Sequence, residues 1–267
     1  MNRYAPRHMR SALVPALLLL LACREAAPEP AATTMPEVAG ACRQQSFEGD
    51  RFTICSDRGA RIEVRTAGKD GRPYRSFAAL QAALGPRARR VAFAMNAGMF
   101  DEQGHAIGLL IEDGKQLRAI NRRRGGGNFH LMPNGVFLVR DSGKAEVVTS
   151  DRFKPAPDIA FATQSGPMLL IDGKLHPKFE HDGESRLIRN AVGIGPDGTP
   201  LLVISEDLVS FGKLARFYRD VLKVRDALFL DGSVSALWHP AGHRMDSLVE
   251  FGPMIVAIRS AGSAPGP

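Results

Sequence analysis

The chain lacks the short motifs that announce most hydrolases. Its seven histidines form no His-x-His or His-Glu-x-x-His pair, and no Asp-x-Asp cluster occurs. A ready-made metal-hydrolase signature is therefore missing, although a divalent metal held by scattered residues stays open. No Gly-x-Ser-x-Gly elbow is present, which disfavours a serine nucleophile of the α/β-hydrolase kind. No period of solenoid or propeller type recurs. Net charge is also small. The formal +7 includes Arg3, Arg7 and Arg10, so about +4 is left without them. That mild surplus favours an anionic ligand or envelope polymer and makes no case for nucleic acid. The dense basic cluster is Arg122-Arg123-Arg124, followed by Gly125-Gly126-Gly127. It reads either as a solvated loop or as a flexible basic lid over an anionic substrate.

The chain does carry an export signature at its start. Three arginines precede the apolar run Ala12 to Leu21, too short to span a bilayer. Leu20-Leu21-Ala22-Cys23 has the form of a bacterial lipobox, with Cys23 the lipidated residue and the lipid the link to a membrane. Residues 1–22 are thus expected to be a lipoprotein signal peptide. Residues 23–40, rich in Ala, Pro, Glu and Thr, are expected to be a disordered tether, and 41–262 a single domain. Export makes the remaining cysteines, Cys42 and Cys55, a disulfide candidate across the turn Glu48-Gly49-Asp50. Closing that loop adds on the order of 3 kcal/mol by loop entropy.

The domain reads as α+β: a mixed β-sheet core with flanking helices. Short apolar or alternating runs predict strands near 61–65, 91–95, 106–112, 134–140, 158–164, 191–195, 200–205 and 227–230. Asp-Gly turns at Glu112–Lys115, Ile171–Lys174 and Pro196–Gly198 separate several of them. Ser76 caps a helix that stops at Gly85-Pro86, and Ser210 caps a second with Leu214, Ala215, Tyr218, Val221 and Leu222 on one face. Each helix leads into a buried strand with a polar end, Asn96-Ala97-Gly98 after one and Asp231-Gly232-Ser233 after the other. Two such strands side by side in one sheet would present Asn96 and Asp231 to one pocket.

Four patches place small and polar residues at the ends of apolar runs: Asn96-Ala-Gly-Met-Phe100, Gln164-Ser-Gly-Pro167, Arg189-Asn-Ala-Val-Gly193 and Asp231-Gly-Ser-Val-Ser235. Singly, each reads as turn chemistry. Together, and in this order, they resemble the phosphodiester glycosidase family, from about Val91 to Ile258. Asn96-Ala-Gly-Met-Phe100 is similar to its Asn-Gly-Gly-Phe-Phe element. Ser165-Gly-Pro-Met-Leu169 with Asp172-Gly173 matches its Ser-Gly-Pro element. Arg189-Asn-Ala-Val-Gly-Ile194 is similar to Arg-Thr-Ala-Ile-Gly, and Leu230-Asp-Gly-Ser-Val-Ser235 to Leu-Asp-Gly-Gly-x-Ser. Asn190 and Ser233 depart from the family's Thr and Gly. Asn128-Phe-His130 and Pro133-Asn-Gly-Val-Phe137 look like a signature of bacterial members, which are often exported lipoproteins.

The resemblance implies hydrolysis of a sugar-1-phosphodiester or a related envelope or exopolysaccharide glycan. A phosphate on the anomeric carbon is already a good leaving group, so less acid help is needed than for an ordinary glycoside. Arg189 suits the phosphate, since a guanidinium forks onto two oxygens. Asp231 suits the oxocarbenium-like centre, as a base for water or as an electrostatic stabiliser. Glu206 is the candidate second carboxylate, and His130 a candidate acid. Asn96, Ser165, Ser233 and Ser235 would orient substrate by hydrogen bonds, while Gly98, Gly166 and Gly232 would let the backbone approach it. No cofactor is called for. Two other readings compete: a non-catalytic, polysaccharide-binding envelope lipoprotein, and a metal-dependent phosphoesterase using Asp231, Glu206 and a histidine.

Overall fold

The computed structural model describes residues 40–231 and 234–261. The lipidation candidate Cys23, the signal peptide, nearly all of the tether, Gly232 and Ser233 lie outside the described residues. Three sheets carry the fold. One has seven strands in the order Cys42–Phe47, Asp50–Cys55, Pro200–Ser205, Asn190–Ile194, Ala227–Phe229, Met168–Ile171 and Lys174–Leu175. A second has five: Arg244–Met245, Leu237–His239, Val91–Asn96, Met254–Arg259 and Ala60–Arg65. The third also has five: Lys115–Arg118, Leu110–Glu112, Ile159–Ser165, Gly135–Arg140 and Ala145–Thr149. The class is α+β, as expected, and the pairings within these sheets are antiparallel.

The strand sequences follow from burial on both faces. Phe93, Met95 and Ile255 of the second sheet meet Phe137 and Phe161 of the third and Val192 and Leu228 of the first in one core. The outer face of the first sheet is covered by the helix Phe211–Arg216 and the π-helical turn Phe217–Val221, whose Leu214, Phe217 and Tyr218 pack on Ala191, Val203 and Phe229. The helix Phe77–Leu84 covers the second sheet through Phe77, Leu80 and Leu84, the i, i+3, i+7 stripe of an amphipathic helix. Strands sandwiched this way read as continuous apolar runs, as Val91–Met95 does. Both caps form: Ser76 Oγ accepts from the Ala79 N–H at 3.2 Å, and Ser210 Oγ from that of Lys213 at 3.1 Å. Tyr218 crosses the sheet over Gly193, where a Cβ would come within 2.9 Å of its ring, and donates to the Ala191 carbonyl at 2.7 Å. Cys42 and Cys55 form a disulfide between the first two strands.

Two expectations change. The strand predicted over 106–112 starts only at Leu110, because the backbone before it bonds elsewhere: Leu109 N–H donates to the Gln164 side chain at 2.9 Å and Ile107 N–H to the Met99 carbonyl at 3.2 Å. The strands ending near Asn96 and Asp231 do not share a sheet either. They belong to the second and first sheets, and it is their ends that meet.

Candidate active site

Asn190 joins those ends. The first residue of its strand, it is fully buried, and its side-chain Nδ2 donates to Asn96 Oδ1 at 2.8 Å and to the Asn96 carbonyl at 2.9 Å. Its Oδ1 accepts from the Asp231 backbone N–H at 3.0 Å. Asn96 completes the bridge: its Oδ1 also accepts from Ala236 N–H at 2.8 Å and its Nδ2 donates to the Val234 carbonyl at 2.6 Å. Ser235 Oγ lies 2.9 Å from the Asp231 carbonyl and 3.1 Å from that of Ile188. Ser165, at the end of the third sheet, donates from Oγ to the Leu230 carbonyl. Three sheets thus hold the segment around Asp231 through buried amides and hydroxyls whose bonds are internal. Buried polar groups satisfied in this way fix geometry.

Arg189 and Asp231 lie just beyond two paired strands. Ala191 pairs with Phe229, and Leu230 N–H still donates to the Asn190 carbonyl at 3.1 Å. Arg189 directly precedes the first of these strands, and Asp231 follows the second by two residues. The Arg189 guanidinium is fully buried and lies 3.7 Å over the Phe211 ring and 5.5 Å from that of Phe229. Its Nε donates to the Val209 carbonyl at 2.8 Å and its Nη2 to the Ser185 carbonyl and hydroxyl at 2.9 and 3.1 Å. Nη1 has no partner among the described residues. Every acceptor it has is neutral, and burial alone pulls its pKa down to about 10. It remains protonated at pH 7 at a cost of about 3 kcal/mol.

The other predicted residues spread around this centre. Glu206, just past the strand Pro200–Ser205, accepts from Thr53 Oγ1 and, at 2.6 Å, from Arg244 Nη1. Arg244 Nη2 also holds Asp246 at 2.9 Å, so the second carboxylate is part of an ion-pair cluster. Gly98 N–H donates to Thr163 Oγ1 at 3.2 Å, and a Cβ there would fall 2.2 Å from the Gln164 carbonyl oxygen. Gly166 packs equally tightly, with Asn134 Cβ 2.6 Å from where its own Cβ would stand. His130 lies apart, its Nδ1 donating to the Arg123 carbonyl at 2.8 Å. Sequence reasoning treated Asn190 only as a departure and missed Gln164, whose amide accepts from Leu109 and Asn121 N–H and donates to the Asn121 carbonyl. The available signal was an uncharged amide inside an otherwise apolar, buried run. No group of His, Cys, Asp and Glu among the described residues is arranged to hold a metal.

The family model for phosphodiester glycosidases matches residues 89–254, more than half of the chain. The chain belongs to the phosphodiester glycosidase family. It is 35% identical over 182 residues to the uncharacterized protein YigE of Escherichia coli (strain K12), covering 68% of this chain and 71% of that protein. Among solved structures, it is similar in fold to the zebrafish N-acetylglucosamine-1-phosphodiester alpha-N-acetylglucosaminidase catalytic domain, described as auto-inhibited by its pro-peptide. The TM-score is 0.57 with 18% identity, over 82% of each chain. A hypothetical protein from Synechocystis matches with a TM-score of 0.51 and 14% identity, covering 82% of this chain and 61% of that one. In this family member the segment Asn96 to Asp231 lies wholly within the matched residues, so the three-sheet junction belongs to the family's own domain.

Proposed function

We propose that the protein is an exported, lipid-anchored hydrolase that removes a sugar from a sugar-1-phosphodiester or a related envelope glycan, with Arg189 and Asp231 at its centre. The observation that carries this reading is the buried guanidinium of Arg189, whose acceptors among the described residues are all neutral, beside Asn190, which holds the Asp231 backbone. A charge taken from water without a counter-ion is costly, and a ligand anion supplies what the fold leaves out. Family membership and the fold of a phosphodiester-cleaving enzyme support the same substrate class.

In this reading the phosphate replaces the Ser185 hydroxyl at Nη2 and takes Nη1, giving two parallel N–H bonds of the kind guanidinium makes to phosphate. Water attacks the anomeric carbon, and the C–O bond to phosphorus's oxygen breaks with both electrons leaving on the phosphomonoester. Asp231 takes the proton of that water or stabilises the positive charge developing on the ring. The phosphomonoester is a good leaving group, so Glu206, already committed to Arg244, need not donate a full proton. Asn96, Asn190, Ser165 and Ser235 act as positioning residues for the Asp231 segment. The lipobox-like sequence ending at Cys23 supports a site on the cell envelope.

The test is release of N-acetylglucosamine from an α-linked phosphodiester by the purified protein, beside Asp231→Asn. Turnover by the parent and loss of about 10³-fold or more in the variant is the expected result. Turnover equal in both removes Asp231 from the chemistry. Binding without turnover in the parent favours a non-catalytic polysaccharide-binding lipoprotein.

A further inference from the structure

Two cavities meet at Lys178. The larger, of about 640 Å³, is lined by Arg122, Arg124, His130, Met132, Ser150 and Asp151 together with Lys178. The smaller, of about 470 Å³, is walled by Phe179, Phe211, Glu180, Glu184 and Ser185 as well as Lys178. The two differ in chemistry. In the smaller, Phe179 and Phe211 stack on each other 5.0 Å apart at 8° and line the cavity beside carboxylates and hydroxyls, which offer hydrogen bonds to an uncharged polyol. It abuts Arg189, which lies on Phe211 and donates to Ser185. The larger has two guanidiniums, an ammonium and an imidazole against one carboxylate, a surface suited to an anion.

The positive charge of the larger cavity is not spent within the protein. Arg122 donates Nε to the Ser150 carbonyl at 2.9 Å and Nη2 to the Phe153 carbonyl at 3.2 Å, neutral acceptors that fix the guanidinium without neutralising it. Neither Arg124 nor Lys178 joins an ion pair among the described residues. The walls are also tied to the candidate active site. Asn121, which starts the basic run, is clamped by Gln164, the residue before Ser165. The Pro133 carbonyl accepts from Met168 N–H at 3.0 Å. His176 braces Met132 and Lys178 at once, its Nε2 donating to the Met132 carbonyl at 3.1 Å and its Nδ1 accepting from Lys178 N–H at 3.2 Å.

We propose that these cavities form one extended binding groove in which the Arg122–Arg124–Lys178 wall holds a second anionic group of the substrate, next to a sugar unit hydrogen-bonded in the smaller cavity beside Glu180, Glu184 and Ser185. The substrate class is then a glycan carrying repeated phosphate-type anions, longer than a single sugar phosphodiester. This rests on the reading of Arg189 as the site of the scissile phosphate, but the groove can be measured without turnover. The fixed guanidinium and the free ammonium and guanidinium beside it act as one cationic wall, so binding weakens steeply with salt.

Titration of the protein with inorganic tripolyphosphate, beside Arg124→Ala/Lys178→Ala, tests the groove. Both side chains are exposed, so the variant keeps its fold, which thermal unfolding verifies. Affinity at least tenfold weaker in the double variant is the expected result. Equal affinity in the two proteins overturns the proposal. Vesicles of phosphatidylglycerol replace tripolyphosphate in a second arm. Vesicle pelleting that needs Lys178 and Arg124, with no binding of tripolyphosphate, overturns the assignment to a soluble substrate and gives the wall to a membrane surface. In a third arm, two α-linked N-acetylglucosamine phosphodiesters are compared, one with a neutral aglycone and one with a further phosphate. A lower KM for the phosphorylated one, lost in the double variant, supports the groove, and equal KM values in the parent overturn it. Cleavage of neither, with tripolyphosphate binding intact and dependent on Lys178, sinks the glycosidase reading alone.

Discussion

Arg65 and Arg189 are both largely withdrawn from solvent in this fold, and they are treated in opposite ways. Arg65 lies between the second and third sheets, its side chain 14% exposed. Its Nε and Nη2 hold Glu63 at 2.9 and 2.6 Å, and its Nη1 holds Glu112 at 3.0 Å and Asp113 at 2.5 Å. Burial by itself would lower its pKa, but the bonds from Asp113 and Glu63 outweigh it and raise the pKa above the ordinary value. Arg189 is buried more deeply and has, among the described residues, carbonyls, a hydroxyl and two aromatic faces but no carboxylate bonded to it, so burial goes unopposed. A cation that only joins sheets is compensated where it stands. One left uncompensated at the meeting point of family motifs fits the proposed role of binding an anion.

The sharpest way to break this contrast is to remove each charge. Arg65→Met leaves Glu112 without its partner and Glu63 with Arg87 alone, which bonds it at 2.7 Å. Breaking a buried pair by removing one member costs about 3–5 kcal/mol. Arg189→Met replaces an uncompensated cation with an apolar chain that still packs on Phe211, so its stability loss should be clearly the smaller in urea unfolding. If Arg189→Met unfolds the protein more than Arg65→Met does, the arginine at the junction is structural and the contrast collapses.

The next largest effect is on turnover. Loss of a preorganised cation on the departing phosphate removes about 10²–10³ in kcat, or roughly 2.7–4 kcal/mol. Arg189→Met should therefore lose that much activity on a sugar phosphodiester, while Arg65→Met, assayed per folded molecule, keeps it within a few-fold. Arg189→Lys keeps the charge and loses the fork, and should recover only part of the activity. Full activity in Arg189→Met would place the phosphate elsewhere.

Most of the fold was legible because it rests on local chemistry. The apolar run Val91–Met95, the Asp-Gly turns and the serines at 76 and 210 each report backbone geometry directly, and the disulfide follows from two cysteines flanking one hairpin. The start of the strand at Leu110 was not legible, since it is decided by Gln164, more than fifty residues away in the chain. The site was legible as residues and not as geometry. Asn96, Ser165, Arg189 and Asp231 stood out as polar ends of buried strands, yet nothing in the sequence says that Asn190 ties two sheets together, or that Asn96 and Ser165 spend their bonds on backbone. Those facts depend on how three sheets meet. The groove at Lys178 was legible only in part, as the basic run Arg122–Arg124, because its walls come from the 122–133, 150–151, 178–185 and 210–212 segments, and a lone lysine in a loop carries no pattern.

A smaller effect distinguishes an arginine awaiting an anion from one already paired. Anions that bind only the folded state stabilise it by RT ln(1 + [L]/Kd), about 1.4 kcal/mol at ten times Kd. Phosphate should raise the melting temperature of the parent and of Arg124→Ala/Lys178→Ala by a few degrees. It should do less for Arg189→Met, where only the outer groove remains. An equal rise in all three proteins would mean that phosphate acts on the surface at large and that Arg189 is not its site.

The smallest expected effect concerns the groups that escape burial of charge by staying neutral. Burial lowers the pKa of His176 against the small upward pull of its bond to Met132, and burial followed by the nearby charges of Arg244 and Arg259 lowers that of His239. Arginine cannot take this route near pH 7, and histidine can. With folded pKa values below the unfolded value of about 6.5, both groups favour the folded state fully above that pH. As pH falls through and below it, the unfolded chain takes up protons first and stability is lost. For His176 the neutral form is also the one its bonds require, because Nδ1 must accept from Lys178 N–H while Nε2 donates to Met132. Acidification should therefore loosen Lys178 from the groove floor, and tripolyphosphate affinity per folded molecule should fail to rise between pH 7 and 5.5 as simple charging of the groove would make it. In His176→Gln the loss of stability over that interval should shrink. An unchanged pH dependence of unfolding in His176→Gln and in His239→Gln would show that neither imidazole is held neutral, and that the fold tolerates buried positive charge in places where no ligand waits.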